Sequence, residues 1–345
     1  MTLARPRAAG LAVLPLTALV LAAPAATAAP PAGPAAAPAA ATAAQGVRTP
    51  GPVTTLRAGT APATPTAVVE RGTSAAAAAP ATATATFTVT YVNFPAPAKA
   101  AFQRAATMWA GNVASSVPIT IRAEYRALGR GVLGSAGSNA YWRDIAGFPR
   151  TSTWYPDPLA NKLVGRQLDP SPDIVASFNS SLGNWHFGST PAPAGTYDFT
   201  SVVAHEIGHG LGFAGFGRLV SGGSQGSLRR SDGRRNVPSV YDRLTEGAGG
   251  TPLSTLADPS AALKTAMTNG ALFFDSTAVR GANGGRPVKL FAPRTFQPGS
   301  SYSHLDEATF RPGNAHSLMT PQIGAGETIR SAGAITRAIL KTEGW

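Results

Sequence analysis

The chain has 345 residues, no cysteine and a formal net charge of +12. Without cysteine there is no disulfide framework and no thiolate to silence a metal, so packing and bound ions must supply stability. The basic excess suits anionic surfaces or polymers as well as general solubility, but no compact basic run interleaved with aromatics marks a nucleic-acid reader.

Taken in order, Arg5 and Arg7 precede an apolar run over residues 8–23, and Ala26-Thr27-Ala28 offers a small-residue cleavage site. Residues 1–28 are therefore expected to be a signal peptide that sends the protein out of the cell. The run is too short, and too soon interrupted by proline, for a stable membrane anchor. Its removal takes away two arginines and no acid, which brings the charge to +10. Residues 29–84 are dominated by Ala, Pro and Thr, with three basic residues and one acid, Glu70. So few large apolar side chains do not offset the entropy of ordering, so this stretch reads as a disordered or lightly structured leader, a propeptide or a wall-spanning linker. Residues 85–345 suffice for one sizeable α+β domain.

Within that domain, Phe87, Val89 and Tyr91 alternate with threonines and predict a strand over 86–92. Phe102, Ala105, Ala106, Trp109 and Val113 recur at helical spacing after Pro97. Ile119, Ile121, Ala123 and Tyr125 alternate again. Residues 129–172 read mostly as loop, with a helical turn or two over 158–164. Residues 173–178 form a short apolar strand, and Trp185-His186-Phe187 an edge strand.

Asp198 or Thr200 caps a helix beginning near Ser201. On it, Val203, Ile207 and Leu211 stack along one face, and His205 and His209 along nearly the opposite one. Two imidazoles one turn apart can share a zinc ion, which in catalytic sites takes three protein ligands and leaves a position for water. Glu206 lies beside the first ligand, where its carboxylate can act as general base on that water. One side of the helix is thus expected in the core and the other in a cleft.

The segment Ala204-His205-Glu206-Ile207-Gly208-His209-Gly210-Leu211-Gly212-Phe213 resembles the zinc helix of metzincin metallopeptidases, particularly the matrixin-like members, with Gly212 matching the glycine that ends that helix. The resemblance implies a third ligand at position 215, where this chain has Gly215. It also implies a Met-turn, matched by Leu318-Met319-Thr320-Pro321, and a closing C-terminal helix, matched by residues 335–345. His304 precedes Met319 by fifteen residues and keeps the family order of third histidine before methionine, so a long insertion would separate it from the first two ligands. His186, His316 and Asp242 are the other candidates, and His304 is otherwise a loop histidine bonded to Asp306. On this resemblance the domain divides into an upper lobe, 85–213, and a lower one, 214–345, that holds the insertion, His304 and the Met-turn.

The expectation is a secreted, monomeric zinc endopeptidase acting on protein or peptide, with one catalytic zinc, a structural calcium without support in the sequence, and an anionic cell-surface polymer as a further partner. Two other readings remain beside it: a non-catalytic zinc-containing surface-binding protein, and a zinc amidase acting on cell-wall peptides. Gly222-Gly223-Ser224-Gln225-Gly226 matches the serine-hydrolase elbow, but its glycine- and arginine-rich neighbours give no strand and helix to carry it.

Overall fold

A computed structural model of the protein describes residues 46–70, 85–231 and 236–345. The expected signal over 1–28 lies outside the described residues, as do residues 29–45 and 71–84 of the leader. The chain begins with three short strands, β1 (Val47–Pro50), β2 (Thr54–Gly59) and β3 (Thr66–Val69). Next come β4 (Phe87–Val92), helix α1 (Ala96–Ala110) and β5 (Ile119–Arg126). Then follow β6 (Val132–Ser138), β7 (Ala140–Arg143), β8 (Tyr155–Pro156), α2 (Asp157–Val164) and β9 (Ile174–Asn179). The pair β10 (Trp185–His186) and β11 (Tyr197–Asp198) leads into α3 (Phe199–Leu211), the helix that carries the histidines.

Beyond α3 the elements are short. They are β12 (Arg218–Val220) with β13 (Gln225–Ser227), β14 (Arg229–Ser231) with β15 (Asn236–Pro238), and β16 (Thr245–Glu246), β17 (Phe273–Phe274) and β18 (Val288–Lys289) in one small sheet. Helices α4 (Ala261–Thr268) and α5 (Thr277–Ala282) lie within this stretch. The chain closes with β19 (Gln322–Gly324), β20 (Glu327–Arg330) and α6 (Gly333–Glu343).

The main sheet is mixed, in the order β19-β2-β6-β9-β5-β4. β4, β5 and β9 run parallel, β6 is antiparallel to β9, β2 is antiparallel to β6, and β19 is parallel to β2. Helices α1 and α3 pack on one another, and α3 on β6 and β9. The periodicity of α1 buries Phe102, Ala105, Ala106 and Trp109, and the Trp109 indole N–H donates to the Ala204 carbonyl at 2.8 Å, tying the two helices together. Phe94, Phe102 and Phe178 meet edge to face, and Phe199 packs tilted on Phe178, in one aromatic cluster. Each such ring contributes about 1.5–3 kcal/mol by leaving water. Six α-helices and a mixed sheet make the described chain α+β, and among the described residues no helix is long and apolar enough to cross a membrane.

Three sequence expectations are corrected. Residues 46–70, read as part of a disordered or lightly structured leader, form strands built into the domain: β1 pairs with β7, β2 joins the main sheet and β3 pairs with β20. These strands attach through main-chain hydrogen bonds, which need no large side chains, and Leu56 is the one large apolar residue that the segment buries. Residues 129–172, read mostly as loop, contain β6, β7 and β8 as well as the expected helix α2. The sequence Val132-Leu133-Gly134-Ser135-Ala136-Gly137-Ser138 carries no bulky alternation because α3 presses on it: a Cβ on Gly134 would lie 2.9 Å from Glu206 Oε1. Finally, α3 does not turn one face to an open cleft, since all 13 of its residues are buried.

Candidate metal centre

Asp198 caps α3, its carboxylate accepting from the Ser201 N–H at 3.3 Å, while Thr200 sits inside the first turn and donates to the Ala101 carbonyl. The cap is itself fixed, because the Arg330 guanidinium of β20 donates to both Asp198 oxygens, from Nε and Nη2 at 3.0 and 2.7 Å to Oδ2 and at 3.3 and 3.1 Å to Oδ1. At the other end Gly212, with φ at +128°, stops the helix in a conformation that disfavours side chains. The helix length thus set places His205 and His209 one turn apart on the side facing residues 300–319.

His304 comes from that segment. Its Nε2 lies 3.2 Å from His205 Nε2 and 3.1 Å from His209 Nε2, and the latter two are 2.9 Å apart. Each ring uses its other nitrogen on a backbone carbonyl: His205 Nδ1 on Leu318 O at 2.6 Å, His209 Nδ1 on Phe213 O at 2.7 Å, and His304 Nδ1 on Ser300 O at 2.7 Å. A carbonyl only accepts, so every Nδ1 carries the proton and every Nε2 presents a lone pair. Three lone pairs then converge with no proton between them. Burial holds all three imidazoles neutral, pulling His205 down to about 4 and the other two well below the ordinary imidazole range, and neutral imidazole is the form that binds metal. Tetrahedral Zn–N bonds of about 2.05 Å set ligand nitrogens about 3.3 Å apart, close to the spacing found here.

Glu206 completes the arrangement. Its carboxylate is fully buried, neither oxygen has a hydrogen-bond partner, and desolvation raises its pKa well above the ordinary carboxylate range. The Leu56 backbone N–H acts in the opposite sense, favouring the ionised form without reaching hydrogen-bond geometry. A cation at the histidines would favour the ionised form much more strongly. The orphaned carboxylate and the converging lone pairs both fit a divalent metal.

The remaining candidates lie elsewhere. His186 binds the Thr190 carbonyl at 2.9 Å on β10. His316 is half-buried against Phe310. Neither joins the three-histidine cluster, and neither does Asp242. Nor does His304 bond Asp306, which accepts from Thr309. Met319 lies beneath the helix, where a Cβ on Gly208 would come within 2.7 Å of its sulfur, and its carbonyl accepts from Leu305 N–H at 2.8 Å. Ser224 donates to the Ser221 carbonyl in an exposed turn.

Sequence reasoning missed what brings His304 back. Asp242 is fully buried and accepts from Phe216 N–H, from the N–H and hydroxyl of Ser239, and from the Tyr302 hydroxyl at 2.9 Å. The Tyr302 ring packs against Gly215 and Gly217 so closely that a Cβ at either would clash, and Gly215 N–H donates to the Ser303 hydroxyl at 3.1 Å. Gly215, at the position where the resemblance implied a ligand, is the gap that admits Tyr302 and so delivers His304 two residues later. Three glycines within six residues after α3 were the available signal.

Compared with known proteins, the chain matches no family model, no curated protein and no solved structure.

Proposed function

We propose that the protein is a secreted, metzincin-like zinc peptidase. The observation that carries this reading is the convergence of three Nε2 lone pairs within 3.2 Å of one another beside a buried carboxylate that has no partner. His205, His209 and His304 would hold the ion, and a bound zinc supplies Lewis acidity toward water and the scissile carbonyl. Glu206 takes one proton from the attacking water and returns it to the leaving amine nitrogen, so that water's oxygen ends on the acyl carbon and its protons on the products. Met319 supports the histidines from below without touching the chemistry. Three protein ligands and an adjacent base favour this over a structural zinc site, which four protein ligands normally close.

Zinc is expected at one ion per chain. Glu206→Ala should retain it while hydrolysis of casein falls at least a hundredfold, in line with removal of a general base. Unchanged hydrolysis in that variant would remove Glu206 from the mechanism, and a chain without zinc would overturn the reading. Parallel incubation with cell-wall material, with and without chelator, decides between a protein substrate and a wall peptide. Secretion is tested by the N-terminus of the exported protein, expected after Ala28.

A further inference from the structure

Residues 214–300, the long excursion after α3, lie outside the segments that carry the resemblance, and over 214–243 every basic residue is arginine. Arg218 of β12 donates from Nη1 to the Phe216 carbonyl at 3.3 Å and to the Arg229 carbonyl of β14 at 3.0 Å. Arg229 Nη2 donates to the Ser254 carbonyl at 2.6 Å. Arg230 lies over the Phe216 ring, 5.2 Å from its centroid, and its Nε is buried without an acceptor. Arg243, in the turn after β15, donates from Nε to the Thr153 hydroxyl at 2.8 Å and from Nη2 to the Ser152 carbonyl at 2.7 Å. Ser152 follows the exposed Arg150 by two residues.

Carbonyls and hydroxyls fix a guanidinium without cancelling its charge. Among the described residues the one ion pair of these five arginines joins Arg229 to Asp258 at 4.0 Å, and that carboxylate already accepts from the Ser227 hydroxyl and the Leu228 N–H. Asp242 acts on Arg230 and Arg243, but it is fully buried and four donors occupy its oxygens. The guanidiniums also repel one another: burial, and then Arg218, lowers Arg230, while burial, then Arg150 and more weakly Arg229, lowers Arg243. Holding like charges together without a matching counter-charge costs stability, and an anionic ligand relieves that repulsion.

The carriers of such an anion differ in what else they need. Bases of a single-stranded nucleic acid stack on open aromatic faces, but Phe216 and Trp154 are 2% and 0% exposed, with Arg230 and Arg143 over their rings. An anionic membrane surface also takes up apolar side chains, and among the described residues the exposed large ones, Val53 and Val69, lie outside 143–243. A polypeptide needs only a short route to the metal centre. His209 bonds the Phe213 carbonyl, and three residues further on the Phe216 carbonyl holds Arg218. Three residues span at most about 11 Å, which an extended substrate, with the bonds at each end, crosses in about five residues. His205, Glu206, His209 and His304 are at most 1% exposed while the arginines are half-buried or exposed, so a substrate meets the arginines first. We propose that Arg150, Arg218, Arg229, Arg230 and Arg243 form a docking surface for a run of glutamates or aspartates on the substrate, about five residues from the bond cleaved at the metal centre. This rests on the zinc-peptidase reading and gives it a substrate class, proteins with acidic stretches.

The binding test uses the full, zinc-loaded chain carrying Glu206→Ala and a fluorescent peptide with six consecutive glutamates, against the same peptide with glutamines. The acidic peptide should bind about tenfold more tightly, with an affinity that falls as salt rises. Arg150→Gln, Arg218→Gln and Arg230→Gln together should erase this preference at unchanged zinc content. Neutralising the exposed Arg166, Arg286 and Arg294, the same change in net charge, should keep it. Arg150→Gln alone, at an exposed side chain, should weaken the acidic peptide about threefold whether or not the triple variant folds. With the parent chain, a casein-derived peptide ending in six glutamates should show about a tenfold lower KM than its glutamine counterpart at equal kcat, the pattern of uniform binding. Equal affinities for the two peptides, an unchanged affinity in Arg150→Gln, a preference that survives in a folded triple variant, or its loss in the control would each overturn the inference. So would polyphosphate of the same charge bound more tightly than the peptide at these arginines. Hydrolysis of both peptides at equal KM sinks this inference alone, whereas no Glu206-dependent hydrolysis of either sinks the peptidase reading.

Discussion

At the scale of single residues, small side chains decide where the large ones go. Gly215 leaves room for Tyr302, which holds the backbone that presents His304. Gly215→Ala should push Tyr302 and Ser303 outward and weaken zinc binding about 10–100-fold, the size expected when support around a ligand is lost. Competition with a chromophoric chelator measures this, and Gly281→Ala, whose added methyl meets nothing within 4 Å, should leave the affinity unchanged. A second residue-scale effect concerns pH. Burial pushes Asp157 up to about 8, with Trp142 Nε1–H on one oxygen and no partner on the other. The folded chain therefore keeps a proton that the unfolded chain releases near pH 4, and stability from this group falls as pH rises from about 4 to about 8, then levels. The slope is at most about 1.4 kcal/mol per pH unit. Asp157→Asn keeps the acceptor for Trp142 and removes the titration, so its urea midpoint should match the parent near pH 4 and exceed it at pH 9. An equal difference at both pH values would refute the assignment.

At the scale of elements, legibility in the sequence followed the source of each element's stability. Strands β4 and β5 and helix α1 turn their large apolar side chains inward at regular intervals, so their periods were visible, whereas α3, buried on every side, was legible from its histidine spacing and its cap. β6 was not, because Gly134 and its small neighbours are what allow α3 to press on the sheet, and small residues leave no alternation. β1, β2 and β3 were hidden for a related reason: backbone ladders hold them, and composition is blind to main-chain pairing. The histidine pair was legible from its spacing on one helix, whereas His304 rested on its order before Met319, since no local pattern encodes a loop folded across 95 residues. The N-terminus of α3 shows how much one cap can carry. Asp198 serves both the first turn and the buried Arg330, so Asp198→Ala frees a helix N–H and strands a guanidinium, a loss of about 3–5 kcal/mol. Asp198→Asn keeps an acceptor for Ser201 but not the charge and should fall between the parent and the alanine variant. Thermal melts of the three chains order them, and equal midpoints for both variants would show that the ion pair with Arg330 alone matters.

For the whole molecule, the absence of cysteine leaves the three histidines as the one convergent ligand set found among the described residues that can clip distant segments together. They join α3 to the segment that ends the long excursion after it, and the carbonyls they bond, Leu318, Phe213 and Ser300, extend the clip to the turn under the helix and to the 300–304 loop. Without a cation the same geometry turns three lone pairs toward one another in a dry interior and leaves the Glu206 carboxyl unpaired, which disfavours the folded form. Metal binding and folding are therefore linked: an ion at 1,000 times its dissociation constant adds about 4 kcal/mol to stability. Chelation should lower the thermal midpoint of the parent by several degrees, and restoring zinc should recover it. His304→Ala should bring the midpoint with zinc down to the chelated value and make it insensitive to chelator, while His316→Ala, outside the cluster, should keep the full zinc-dependent difference. A chelator shift that survives in His304→Ala would place the ion elsewhere.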